Sequence, residues 1–128
     1  MIEWIVTYRV TLFNESERKS SVREFLDKTN DSLRAKILRQ FSYVQTYGLT
    51  PAIPNLRKLT GTPIWELRIL GKSNVRILCF QTSKTEIVIL HIFTKKTQKT
   101  PQKEIRIALK RYQLSCWPLT DYIFLDIV

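Results

Sequence analysis

Histidine, cysteine and clustered carboxylates, the usual furniture of hydrolytic and metal sites, are scarce in this 128-residue chain, which holds 1 His, 2 Cys and 11 Asp or Glu. Cys79 and Cys116 form no CxxC pair and stand in no Cys/His cluster, which argues against a zinc site and fits a reducing compartment. With 3 Gly and 5 Pro, no collagen-like or low-complexity segment is present. No run approaches the roughly 18 apolar residues that span a bilayer. Met1-Ile2-Glu3-Trp4 lacks the basic and apolar regions of a signal peptide. A soluble, cytoplasmic protein without a membrane partner is expected. His91 has no nucleophile-elbow sequence to serve as a triad base. Glu66, Glu86 and Glu104 are too few for the converging carboxylates of a metal-dependent nuclease. No metal or other cofactor is expected.

Cations are what the chain has in excess. The formal net charge is +10, and all of it lies in one stretch: Arg57 to Arg111 carries 13 Lys or Arg against 3 acids, and the remainder balances. A field segregated in this way attracts polyanions, of which nucleic acid is the commonest in a cytoplasm. Hydrophobic residues at 44% and charged residues at 25% are ordinary for a folded domain. The length favours one domain. We divide it into a domain over residues 1–115 and an extension over residues 116–128.

Periodicity orders the elements. Residues 2–13 alternate β-formers with polar residues and read as a strand. Ser21-Val22-Arg23-Glu24 has capping-box spacing and opens a short helix. Asp31 can cap a longer helix, with Leu33, Ile37, Phe41 and Val44 on its apolar stripe and Gly48 as its stop. Pro51 and Pro54 make the following segment a loop. Three strands then follow at Ile64–Leu70, Val75–Gln81 and Ile87–Phe93, joined by short turns, which predicts an antiparallel meander. Thr100 as cap and Pro101 in the first turn start a last helix whose stripe is Ile105, Ala108, Leu109 and Tyr112. The fold class is α+β: an N-terminal strand and helical hairpin packed on an antiparallel sheet, with a C-terminal helix.

RNA can be cut with cations alone, because the ribose 2′-OH attacks its own phosphorus. A site must align that attack, neutralise the charge growing on the phosphoryl oxygens and move two protons. Arg supplies rigid bidentate donors; Lys serves in proton transfer when neighbouring charge lowers its pKa. Arg57-Lys58, Arg68, Arg76 and Lys95-Lys96 fall at positions from which adjacent strands can gather them. Each has a plainer role open to it. Arg68 suits a solvated strand residue paired with Glu66 or Glu86, Arg76 is similar, and Lys95–Lys99 suits a polar loop. His91, among Ile89, Leu90, Ile92 and Phe93, suits a satisfied core histidine better than a catalytic one. The residues alone reach a cationic nucleic-acid-binding α+β domain.

Lys58-Leu59-Thr60-Gly61, Ile64-Trp65-Glu66-Leu67-Arg68, Val75-Arg76-Ile77-Leu78-Cys79-Phe80, Ile87 to Phe93 and Lys95-Lys96-Thr97-Gln98-Lys99-Thr100-Pro101 together resemble the RelE/HigB toxin superfamily, nearest its phage-associated HigB-like branch. The resemblance covers residues 56–112, and the hairpin at 21–47 suits the same plan. It implies a microbial RNase-like fold and a type II toxin that cuts mRNA in the ribosomal A site, held inactive by a cognate helix-turn-helix (HigA-like) antitoxin. By motif position it implies Arg68, Arg76, Lys95 and Lys96 as catalytic candidates. Arg57, Lys58, His91, Lys99 and Lys103 are the RNA-binding candidates. Two further readings stand beside it: a ParE-like inhibitor of DNA gyrase on the same fold, and a phage-derived protein that only binds nucleic acid or a partner.

Overall fold

A computed structural model describes residues 7–96 and 101–115. In chain order the elements are β1 (Arg9–Leu12), α1 (Ser21–Lys28), α2 (Asp31–Tyr47), β2 (Leu56–Lys58), β3 (Trp65–Ile69), β4 (Val75–Gln81), β5 (Glu86–Thr94) and α3 (Gln102–Ser115). The five strands form one sheet in the order β1-β5-β4-β3-β2. β2 to β5 are antiparallel neighbours, as the alternation in the second half requires. β1 joins β5 in parallel, so the sheet is mixed rather than wholly antiparallel. The hairpin causes this: it carries the chain from one edge of the sheet to the other, and the meander then returns to β1. The strand expected over residues 2–13 is described here only as Arg9–Leu12, since residues 1–6 lie outside the described set. β2, three residues long, carries too short a pattern to be read from sequence.

The two helical layers take opposite faces. Val22, Leu26, Leu33, Ile37, Phe41 and Val44 of α1 and α2 pack on one face, against Leu67, Ile77, Cys79 and Ile89. Ala108, with Ile105, Leu109 and Tyr112 of α3, packs on the other, against Leu78, Phe80, Val88 and Leu90. Tyr112 meets Phe80 edge-on with ring centroids 4.8 Å apart. Burial pushes the Cys79 thiol up to about 12, which leaves it an inert core group.

Caps fall one residue earlier than the spacing suggests. Ser20, not Ser21, caps α1 and accepts from Arg23 N. Ser21 instead donates its backbone N–H to the Glu15 carboxylate at 3.1 Å, so an acid from the preceding loop satisfies the helix start and Glu24 is not needed for it. Asn30 caps α2 by accepting from Leu33 N at 2.8 Å, and Asp31 pairs with Arg34 in the first turn. Gly48 ends α2 at φ 76, and a Cβ there would stand 2.7 Å from Tyr8 Cζ, so conformation and space both demand glycine. Thr100, the expected cap of α3, lies outside the described residues; the Pro101 carbonyl accepts from Glu104 and Ile105 at the helix start.

Two polar devices fasten the layers. Arg34 donates to the carbonyls of Leu26, Asp27 and Thr29, closing the end of α1 from the start of α2. On the other face Arg111 reaches from α3 to the Leu90 carbonyl at 2.9 Å and to His91 Nδ1 at 3.2 Å, near Glu15 and over the Phe13 ring. Because Arg111 donates to Nδ1, the neutral His91 ring carries its proton on Nε2, which meets the Glu104 carboxylate.

Arg34→Lys keeps the charge but loses the fork that reaches several carbonyls at once. Urea unfolding should show a loss of about 1–3 kcal/mol, with Arg39→Lys on the exposed side of α2 near neutral as the control. The latch gives a pH dependence. Loss of hydration holds His91 below its ordinary value of 6.5, with Glu104 opposing, so the unfolded chain takes up that proton first. Partial burial raises the Glu15 carboxyl, but hydrogen bonds from Ser21 and the Arg111 charge outweigh it and bring the group below 4.5. Stability should therefore fall as pH drops through about 6.5, from the histidine, and fall again through the carboxylate range, from Glu15. As His91 is the chain's 1 histidine, urea midpoints in His91→Gln should lack the first decline.

Candidate functional site

Strand register gathers the cations. Arg68 faces Arg76 across β3 and β4, Arg57 faces Glu66 across β2 and β3, and alternation puts all of them on the face that α3 covers elsewhere. β5 would not contribute without a defect. Leu78 pairs with His91 but Cys79 pairs with Ile89, so Leu90 is an extra residue and the ladder bulges. Before the bulge Ile87 and Ile89 face the helical hairpin; after it Ile92 does, and Phe93 turns to the α3 side. Lys95 follows Phe93 in phase and so joins Arg76. The 71–74 turn fixes it there. Asn74, at φ 50, accepts from Lys95 N through its carbonyl and donates its side-chain amide to the Lys95 carbonyl, both at 2.8 Å.

The result is an open cavity of about 540 Å³ whose lining includes Arg68, Gly71, Asn74, Arg76, Lys95 and Lys96. Arg76 and Lys95 of its lining are 5% and 7% exposed, and Glu66, which pairs with Arg57 and Arg76 without being part of the lining, is 2% exposed. Glu66 Oε1 accepts from Arg57 Nε at 3.0 Å and stands 4.0 Å from Arg76 Nε. That last separation is an ion pair but no hydrogen bond, and the buried Arg76 Nε–H has no acceptor among the described residues. A buried charged donor left in this state costs free energy until an anion meets it. Loss of hydration, then the Arg68 charge, lower the affinity of Arg76 for its proton, although a guanidinium remains a cation in water. Loss of hydration and then Arg76 likewise hold the Lys95 ammonium below its ordinary 10.5, with Glu66 opposing.

Of the residues singled out from the sequence, Arg68, Arg76, Lys95 and Lys96 line this one cavity, and Arg57 joins through Glu66. Lys58 lines a separate depression with Leu59 to Pro63. His91 lies away from this cavity, in the α3 latch, where both ring nitrogens are engaged. Lys103 is exposed on α3, and Lys99 lies outside the described residues. Glu66 and Asn74 belong to the site but were not among the candidates. For Glu66 a signal existed, since its alternation with Arg68 puts the two side chains on one face. Asn74 gave none beyond its place in a turn. Among the described residues no three His, Cys, Asp or Glu side chains gather as a metal-binding set. No helix among them is long and apolar enough to cross a membrane.

The family model of phage-derived Gp49-like proteins (DUF891) matches residues 24–113, which span the hairpin, the meander and most of α3. Among solved structures, the free-state arginine double mutant of the E. coli toxin RelE is similar at a TM-score of 0.59 and 18% identity, covering 83% of this chain and 98% of that one. That likeness is one of fold. Comparison with curated proteins gives no match. The chain belongs to the Gp49-like phage-derived protein family and has the RelE fold.

Proposed function

We propose that this protein is the toxin of a type II toxin–antitoxin pair and an endoribonuclease that cuts mRNA on the ribosome. The buried, unsatisfied Arg76 Nε–H at the floor of a cation-lined cavity carries the reading. The Arg76 guanidinium lines the cavity, a preorganised cation beside which charge on a phosphoryl oxygen would be stabilised. The Gp49-like family together with the RelE fold supports an antitoxin partner, and the helix-turn-helix (HigA-like) type is part of the proposal. Ribosome, mRNA and toxin would meet in the cytoplasm.

The chemistry follows from the groups present. Arg68 and Arg76 hold the scissile phosphate. The 2′-oxygen attacks phosphorus and gives its proton to the Glu66 carboxylate. As the bond from phosphorus to the 5′-oxygen breaks, Lys95 donates a proton to that oxygen, and Lys96 adds charge at the rim. A 2′,3′-cyclic phosphate and a 5′-hydroxyl result. Lowered proton affinity at Lys95 suits a general acid.

Purified protein added to a translating extract should create new mRNA ends within codons. Arg76→Ala should lower the cleavage rate by about 10²–10³, and Glu66→Gln by about 10²–10⁴ with RNA binding retained. The alkaline limb of the rate profile should lie below the ordinary lysine range and move upward in Lys95→Arg. Intact mRNA accompanied by gyrase-dependent DNA breaks would replace this reading with a ParE-like one. Intact mRNA and intact DNA would leave a binding protein.

A further inference from the structure

The cavity does not end at the catalytic cluster. Ile69 and Leu70 on its wall are shared with a depression of about 250 Å³ that also takes in Lys36, Arg39 and Gln40 of α2. Gln40 is shared in turn with a more apolar cavity of about 560 Å³, lined by Tyr43, Tyr47, Ile53 and Pro54. Three depressions thus join into one track around the end of β3. It runs from the phosphate-holding face to the exposed side of α2. From Lys36 to Tyr47 the helix advances roughly 16 Å.

Charge along the track is of one sign. Residues 32–65 contain no Asp or Glu. An ideal Cβ on Gly71 would stand 3.0 Å from Lys36 Nζ, so this ammonium bridges α2 and the turn that walls the first cavity. Tyr43 and Tyr47, one helical turn apart, are 43% and 62% exposed, and Leu70 is 58% exposed. Between the cations and the tyrosines sits Gln40, whose Oε1 is buried with no hydrogen-bond partner. Cations for phosphates and paired aromatic faces for bases are the parts of a single-strand site.

We propose that this track binds the single-stranded RNA that flanks the scissile phosphate. Phosphates lie over Lys36 and Arg39, and bases stack on Tyr43 and Tyr47. The proposal rests on the nuclease reading for the position of the cut, while its binding test stands apart from cleavage. A protein segment could also cover tyrosines, but it would not account for an acid-free run of cations continuous with the phosphate cavity.

The test uses oligonucleotides with 2′-deoxyribose throughout, which cannot be cut, as a dinucleotide and an octanucleotide. The octanucleotide should bind more tightly, and Tyr43→Ala/Tyr47→Ala should remove about tenfold or more of that gain while dinucleotide affinity holds. Lys36→Ala/Arg39→Ala should lower the salt dependence of octanucleotide binding by about 0.7 in log–log slope per cation. All four side chains lie on the outer side of α2, and circular dichroism checks that the fold is kept. Equal affinity for the two lengths, or an octanucleotide affinity unmoved by the tyrosine pair, would overturn the track. Tyrosine variants that keep RNA affinity but lose the antitoxin would assign the groove to that protein and also overturn it. Absence of mRNA cutting alongside tyrosine-dependent octanucleotide binding would sink the nuclease reading and leave the track standing.

Discussion

A single buried carboxylate holds the cationic face together. Arg57, Arg76, Arg68 and Lys95 converge on a small area of sheet, and their mutual repulsion would oppose the register that aligns them. Glu66, at 2% exposure, offsets that repulsion from within by accepting from Arg57 and standing against Arg76. One acid among so many cations is not enough to neutralise them. The remainder is an anion-binding potential in a low-dielectric floor, where each interaction counts for more than it would in water.

Placement of the helical layers complements this. The hairpin buries the opposite face with an apolar stripe. Among the described residues, α3 covers only part of its own face, around Phe80 and Leu90, and the neighbouring part is open beside Arg76. The polar latch of Arg111, His91 and Glu104 therefore has a consequence for the site, because it decides how far along the sheet the cover reaches.

Much of this was legible in the residues. Period-2 alternation in Trp65–Ile69 and the apolar run of β5 gave the meander, and the stripe Leu33, Ile37, Phe41 and Val44 gave the long helix. Arg68 and Arg76 were visible as strand cations. What could not be read is the bulge at Leu90, because a continuous apolar run has no alternation to break, and the bulge decides which way Lys95 points. The parallel pairing of β1 was hidden too, since a strand's direction depends on how the connection crosses the sheet and not on its own residues. The caps slipped by one position because Ser20 and Ser21, and Asn30 and Asp31, are chemically interchangeable neighbours; contacts to Glu15 and Arg34 decided between them.

The outermost strands have a bearing on association. Among the described residues, β1 exposes Arg9 and the three-residue β2 exposes Arg57 and Lys58, so both flanks of the sheet as described are short and basic. Two copies meeting flank to flank would bring like charge against like charge, which discourages ladder growth between identical chains. A polypeptide able to add a strand there would have to be acidic, so the flanks themselves filter which sequences can extend the sheet.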